Sequence, residues 1–305
     1  MTSAHVLALA GALCLLPLRA NADASKAWAA AKVNLPAETH VLVGMDLAAV
    51  TSSSLFSMMF PMLLSQQPDV KTGLELVKTT CKIDPMKAID GFVVGTGKDS
   101  DEGAVFLALS GVDEAKLVSC LEAIAKSKKV PDSKIAVTRE RGITQLSTGS
   151  GDKVYVKWFG KNVVALPLDV DNKAQLQKWA GTKNGLGKAL VGKATAKVNT
   201  RATVWAISGV DDTIEGVKTR LGYGSLDARN GSLTADLRIV TGSAKDAKKV
   251  AAKAQEQLTA AAGAGDPELA SILDAVSVGA AGPELVIKAS LPEQSVMSLL
   301  GTLLK

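Results

Sequence analysis

Few side chains in this chain could do chemistry. Of its two histidines, His5 lies in a segment that the sequence marks for removal, which leaves His40. A Ser-His-Asp triad needs one histidine, but it also needs a nucleophile exposed beside that base. No G-x-S-x-G elbow occurs, and His40 opens the apolar run THVLVGMDL (39–47), where it reads as a partly exposed strand residue. A zinc site built from His and Cys would have to combine His40 with Cys81 and Cys120, and those two cysteines are expected to bond to each other. The residues therefore predict no catalytic group, no metal site and no cofactor.

Several patterns imitate functional motifs. Gly187-Lys188-Ala189-Leu190-Val191-Gly192-Lys193-Ala194 has the spacing of a phosphate loop, but Ala194 stands where a Mg²⁺-binding Ser or Thr is needed, and no strand leads into it. It reads as a Lys-rich helical linker. Asp99-Ser100-Asp101-Glu102-Gly103 resembles the start of a calcium loop, with Gly103 in a ligand position and no bidentate Glu downstream, so it reads as a hairpin turn. Ser150 and Lys153 have S-x-x-K spacing between two strands, where they need not face each other. Asp211 and Asp212 could serve a carboxylate-based hydrolase. Adjacent acids of this kind more often cap a helix start.

The N-terminus carries an apolar run from Val6 to Leu18, a Pro at 17 and the small-x-small pattern Ala20-Asn21-Ala22. The pattern predicts a secretory leader cleaved after Ala22, although no Lys or Arg precedes Val6. The run is shorter than the roughly 20 apolar residues of a membrane span. Leu13 before Cys14 argues against lipidation. The predicted destination is the periplasm or the outside of the cell. The formal net charge of +5 is mild, and lysines are dispersed among acids with few aromatics between them, so no nucleic-acid surface is indicated. Cys81 and Cys120 remain after cleavage, each on a segment with helical periodicity (LELVKTTC and EAKLVSCLEAIAK). In an oxidising compartment the pair is expected to form a disulfide.

The elements that must position these residues alternate between short strands and helices. DGFVVGTG (90–97) and GAVFLALSG (103–111) form a hairpin, followed by an amphipathic helix over 113–126. KIAVTRE, GITQLST, DKVYVKWF and NVVALPL continue as strands, and a helix spans 173–179. ATVWAIS (202–208) repeats the first strand, 211–221 reads as a helix, and Asn230-Gly231 supplies a hairpin turn. A helix with a solvated face of Lys245, Lys248, Lys249 and Lys253 follows. The predicted class is α+β, in two similar sheet-plus-helix halves from an internal duplication, with largely antiparallel sheets and helices on one face. The boundaries are 1–22 for the leader, 23–195 for the first copy with a helical insertion at about 52–84, and 196–305 for the shorter second copy.

That insertion holds SSSLFSMMFPMLLSQQP (52–68), the densest apolar stretch of the exported chain. Helices apolar on every side are usually core. Met side chains also repack around varied apolar ligands. Leu55, Phe56, Met58, Met59, Phe60, Met62 and Leu63 are therefore the candidate contacts for an apolar small molecule or a protein partner, in a non-enzymatic binding protein. The alternative is a structural or assembly component of the cell envelope, with 55–64 as core.

The phrases LPAETHVLVGMDLAAV, IDPMKAIDGFVVG, GAVFLALSGVDEAKL and ATVWAISGV together resemble a loose group of exported, internally duplicated α+β proteins of unknown function from Gram-negative bacteria. The resemblance implies that architecture and export. It transfers no site residue.

Overall fold

The computed structural model describes residues 24–99, 101–127, 134–148, 151–229, 231–263 and 267–303. The predicted leader, Ser150 and Asn230 lie outside them. The chain divides into two compact units: the described residues up to Ser52 with Phe56–Lys193, and Ser53–Leu55 with Ala194 onward.

The first unit begins with α1 (Ala24–Asn34), β1 (Val41–Asp46) and α2 (Leu47–Ser52). Two longer helices follow, α3 (Ser54–Gln66) and α4 (Pro68–Cys81), and then the short α5 (Pro85–Ala88). The rest is β2 (Ile89–Thr96), β3 (Gly103–Leu109), α6 (Glu114–Ser127), β4 (Ala136–Glu140), β5 (Ile143–Ser147), β6 (Lys153–Phe159), β7 (Val163–Pro167), α7 (Lys173–Trp179) and α8 (Leu190–Ala194). Its strands run in the order β1-β2-β3-β7-β6-β5-β4, each antiparallel to its neighbour.

The central strands β2 and β3 read almost continuously apolar because both of their faces are covered. Phe92, Leu107 and Val164 point to one side, where they pack with Cys120, Leu117 and Ile124 of α6 and Val77 of α4. Their neighbours Val93, Phe106 and Ala165 are fully or almost fully buried on the other side, the side of α1 and α7, which contribute Ala27, Ala31, Leu176 and Trp179. The fit there is tight: a Cβ on Gly95 would stand 2.6 Å from Leu35 Cδ2. The expected disulfide is formed. Cys81 ends α4 and Cys120 sits in the middle of α6, with Cα atoms 4.8 Å apart.

The second unit contains β8 (Val204–Ile214), β9 (Val217–Arg229), β10 (Ser232–Thr241), α9 (Ala244–Ala262), α10 (Pro267–Asp274), β11 (Val276–Ala281), β12 (Glu284–Pro292) and α11 (Glu293–Leu303). Its strand order is β8-β9-β10-β12-β11, again antiparallel. Val250 and Ala251 of α9 pack on Val217 and Leu285, with Ile214, Ile239, Val278 and Ile287 around them. Ser243 caps α9, accepting from Asp246 N at 3.1 Å.

One sequence reading is corrected here. Residues 211–221 are not helical but form the tip of the β8–β9 hairpin, in which Ile214 pairs with Val217. Glu215 (φ 51°) and Gly216 (φ 77°) make a two-residue turn with both residues left-handed, the geometry that matches strand twist. Glu is unusual at the first of those positions, where Asn or Asp is the common signal, so the turn is hard to recognise in the sequence. On β10, Leu237 is 47 % exposed and lies across Gly224.

Candidate functional site

Helix α3 has the sequence SLFSMMFPMLLSQ, with no charged residue and with Pro61 inside it. Ser54, Ser57 and Ser65 share one exposed stripe with Pro61, and the apolar positions cover the rest of the helix, a far wider arc than one buried face needs. Pro61 also removes one intrahelical donor. The first backbone amides of any helix lack internal partners. Here Glu293, from the first turn of α11, supplies one: its Oε1 accepts from Leu55 N at 2.7 Å and its Oε2 from Ser54 Oγ at 3.0 Å. Glu293 is buried, so the helix start meets a desolvated carboxylate, the charge its dipole favours.

Along the helix, Phe56 is buried, at 7 % exposure, and its ring stacks on Phe60 with centroids 4.8 Å apart. Met58 is 39 % exposed. Leu55, Met59, Phe60 and Met62 are half-buried, while the side chain of Leu63 lies outside the described residues. The candidate contacts thus form one helical surface that is neither sealed in a core nor fully solvated.

The motif look-alikes resolve structurally. In the phosphate-loop imitation, a Cβ on Gly192 would stand 1.8 Å from the Leu186 carbonyl oxygen, so backbone packing accounts for that glycine. The segment is a short 3₁₀ turn (Leu186–Lys188) followed by α8, with Leu186, Ala189 and Val191 buried. The turn 97–102 closes by bonds from Gly97 N to Glu102 O and from Glu102 N to Asp99 O. Asp211 and Asp212 are exposed strand residues and cap no helix. His40 donates its backbone N–H to Thr96 O, as a ladder residue would. Among the described residues no group of three His, Cys, Asp or Glu converges as a metal site would. No described helix is long and apolar enough to cross a membrane.

Sequence reasoning missed a polar cluster in the second unit. Glu284, buried on β12, accepts from Lys197 Nζ at 2.6 Å, Tyr223 Oη at 2.8 Å and Arg238 Nη1 at 3.3 Å. Burial pushes its carboxyl up, and the hydrogen bonds from Lys197, Tyr223 and Arg238 outweigh that and hold it below the usual range. The same bond raises the Lys197 ammonium, and burial followed by the Glu284 contact raises the Tyr223 hydroxyl. Arg238 is shared with Asp236 at 3.0 Å. No spacing announces this cluster, because strand register brings Tyr223, Arg238 and Glu284 together and the 3₁₀ turn Thr195–Lys197, far away in sequence, adds Lys197. Each acid in it is satisfied, as expected of a buried polar group with a structural role. Asp90, another buried acid, is likewise met by Ser110 Oγ at 2.7 Å.

A second missed feature is an open cleft of about 560 Å³ in the first unit. Ala115 and Val118 of α6, Val137 of β4 and Trp158 of β6 line it, with Glu114 and Arg139 paired at 3.1 Å on its rim.

No protein-family model and no curated protein matches the chain. Among solved structures, crystal form III of TP0453 aligns with a TM-score of 0.50 and 11 % identity over 88 % of this chain and 96 % of that one. Crystal form I of the same protein gives 0.49 and 11 % over the same shares. At that identity the likeness is one of fold alone: this chain shares the α+β architecture of TP0453 along most of its length.

Proposed function

We propose that this chain is an exported, non-enzymatic protein that binds an apolar ligand or a protein partner through helix α3. The observation that carries the reading is a mismatch between pattern and burial. A helix that is apolar everywhere but along the stripe of Ser54, Ser57 and Ser65 would bury most of its surface in a core, yet in α3 Met58 is exposed and Leu55, Met59, Phe60 and Met62 are only half-buried. Unbranched Met side chains suit a surface that adapts to its occupant. The Cys81–Cys120 bond supports export, because such bonds persist in oxidising compartments.

Native mass spectrometry of the protein purified from its own host tests the reading. The wild type is compared with a Met58→Asp, Met62→Asp variant, which leaves buried Phe56 in place. Loss of a co-purifying apolar molecule or partner from a variant that melts like the wild type is the expected result. A bare wild type, together with a variant that no longer folds, would make 55–64 core and assign the protein to the envelope-structural class. N-terminal sequencing of the exported form should begin at Asp23.

A further inference from the structure

Among the described residues the strand β11 has one strand neighbour, β12, and its other edge is open. Its hydrogen-bond phase can be read directly. Ser290 N donates to Ala275 O, and the register sets Val276 opposite Ala289. In an antiparallel ladder the hydrogen-bonded pairs alternate. Residues 277, 279 and 281 therefore turn their amides toward β12, Ala275 offers β12 its carbonyl while its own N–H goes to Ile272 O, and Val276, Val278 and Ala280 turn their amides outward. These outward groups meet no partner among the described residues.

Proteins usually blunt such an edge with charge, proline or a bulge. The edge strand β4 of the first unit does so: it reads AVTRE, with Arg139 and Glu140. By contrast β11 reads VSVGAA, with neither a charge nor a proline. Gly279 adds an independent observation. Glycine inside a strand weakens it and often marks close approach by another backbone. Yet a Cβ at 279 would meet nothing within 4 Å, and the residue is not left-handed, so no described residue requires glycine there. Ser277, Gly279 and Ala281 line an open groove of about 320 Å³ beside Val286, Arg238 and Lys288.

We propose that the open edge of β11 pairs with β11 of a second copy of this chain, antiparallel about a two-fold axis through Val278. Each strand then sets its outward N–H groups against the outward carbonyls of the other. Val276 falls opposite Ala280 of the second copy, and Ser277 opposite its Gly279, a pairing of small side chains without like charges. Self-pairing fits because a two-fold interface has to be self-complementary. The nearest cation, Lys288, is one strand further in. Three strand spacings of about 4.8 Å put the two copies of it about 14 Å apart, beyond the Debye length of physiological salt. A six-residue strand offers less than the roughly 1,200 Å² of a stable interface, so the association is weak and concentration-dependent. This pairing is independent of ligand binding at α3.

Sedimentation velocity of the exported chain from micromolar to sub-millimolar concentration tests it, with the variants Gly279→Lys, Ala280→Pro and Met58→Asp. Gly279→Lys opposes charges across the new pair while entering open space. Ala280→Pro removes an outward donor and leaves the bonds to β12 intact. The expected result is a wild-type sedimentation coefficient that rises with concentration, and at least roughly tenfold weaker association in both edge variants, with unchanged melting. Met58→Asp should associate like the wild type. A monomer at every concentration overturns the proposal, as does dimerisation that survives Gly279→Lys or is abolished by Met58→Asp. Should Ala280→Pro fail to fold, Gly279→Lys decides alone, because its side chain meets nothing in the folded chain.

Discussion

Helices α3 and α9 show opposite relations between sequence pattern and burial. In α9, Ala247, Val250 and Ala251 recur at helical spacing and are buried, while Lys245, Lys248, Lys249 and Lys253 are all exposed. Its pattern and its surroundings agree. The apolar positions of α3 cover all of the helix but the stripe of Ser54, Ser57, Pro61 and Ser65, so apolar surface is left over, with Met58 exposed and Leu55, Met59, Phe60 and Met62 half-buried. The comparison teaches that composition alone does not mark a candidate site. What marks it is apolar surface in excess of what the fold covers.

The sharpest way to break the comparison is to put the same charge on both helices. Val250→Asp buries an unpaired carboxylate and should cost about 3 kcal/mol or more, read as a large fall in thermal midpoint. Met58→Asp should stay within about 0.5 kcal/mol of the wild type. An equally damaging Met58→Asp would mean that α3 is core after all.

Next in size is the disulfide that tethers α4, the helix following α3. Replacing Cys81 and Cys120 with Ser should cost about 2–4 kcal/mol in urea unfolding. α9, which has no such tie, should keep its amide protection.

The Glu284 cluster comes third and touches neither helix directly. Because its folded carboxyl is held low, its contribution is present above the unfolded carboxyl pKa and is lost as pH falls through the lower folded value. Glu284→Gln should therefore destabilise the protein by about 1–3 kcal/mol at neutral pH. The variant should also flatten the fall in stability below about pH 4. An unchanged acid profile would remove Glu284 from the account.

The smallest effect separates the helix starts. Glu293→Ala removes the carboxylate cap of α3 and should cost about 1 kcal/mol, with faster hydrogen exchange at Leu55. Exchange at Asp246, whose amide is held by Ser243 of the same helix, should not change.

Much of this architecture was legible. Apolar runs in β2 and β3, the 3.6-residue period of α6 and α9, and an even cysteine pair each carry a local signal. The unpatterned apolar stretch of α3 was also legible as an anomaly. What escaped depends on partners far apart in sequence, or on an atypical turn residue. Glu215 hid a hairpin. Glu293 reaches across 238 residues to cap Leu55, and Glu284 reaches 87 to Lys197. A capping box or an ion pair within one helix would have shown itself by spacing. These pairs arise only once the sheets are in register.

The cysteine bond also governs how the chain comes apart when cut. Cys81 and Cys120 are 39 residues apart and enclose β2, β3 and the exposed turn at Lys98 between them. A peptide bond cleaved inside that ring breaks the backbone but not the molecule. On a denaturing gel, trypsin cleavage after Lys98 would leave two fragments that migrate as one until a reductant is added, whereas cleavage after exposed Lys71, outside the ring, would release the N-terminal fragment without it.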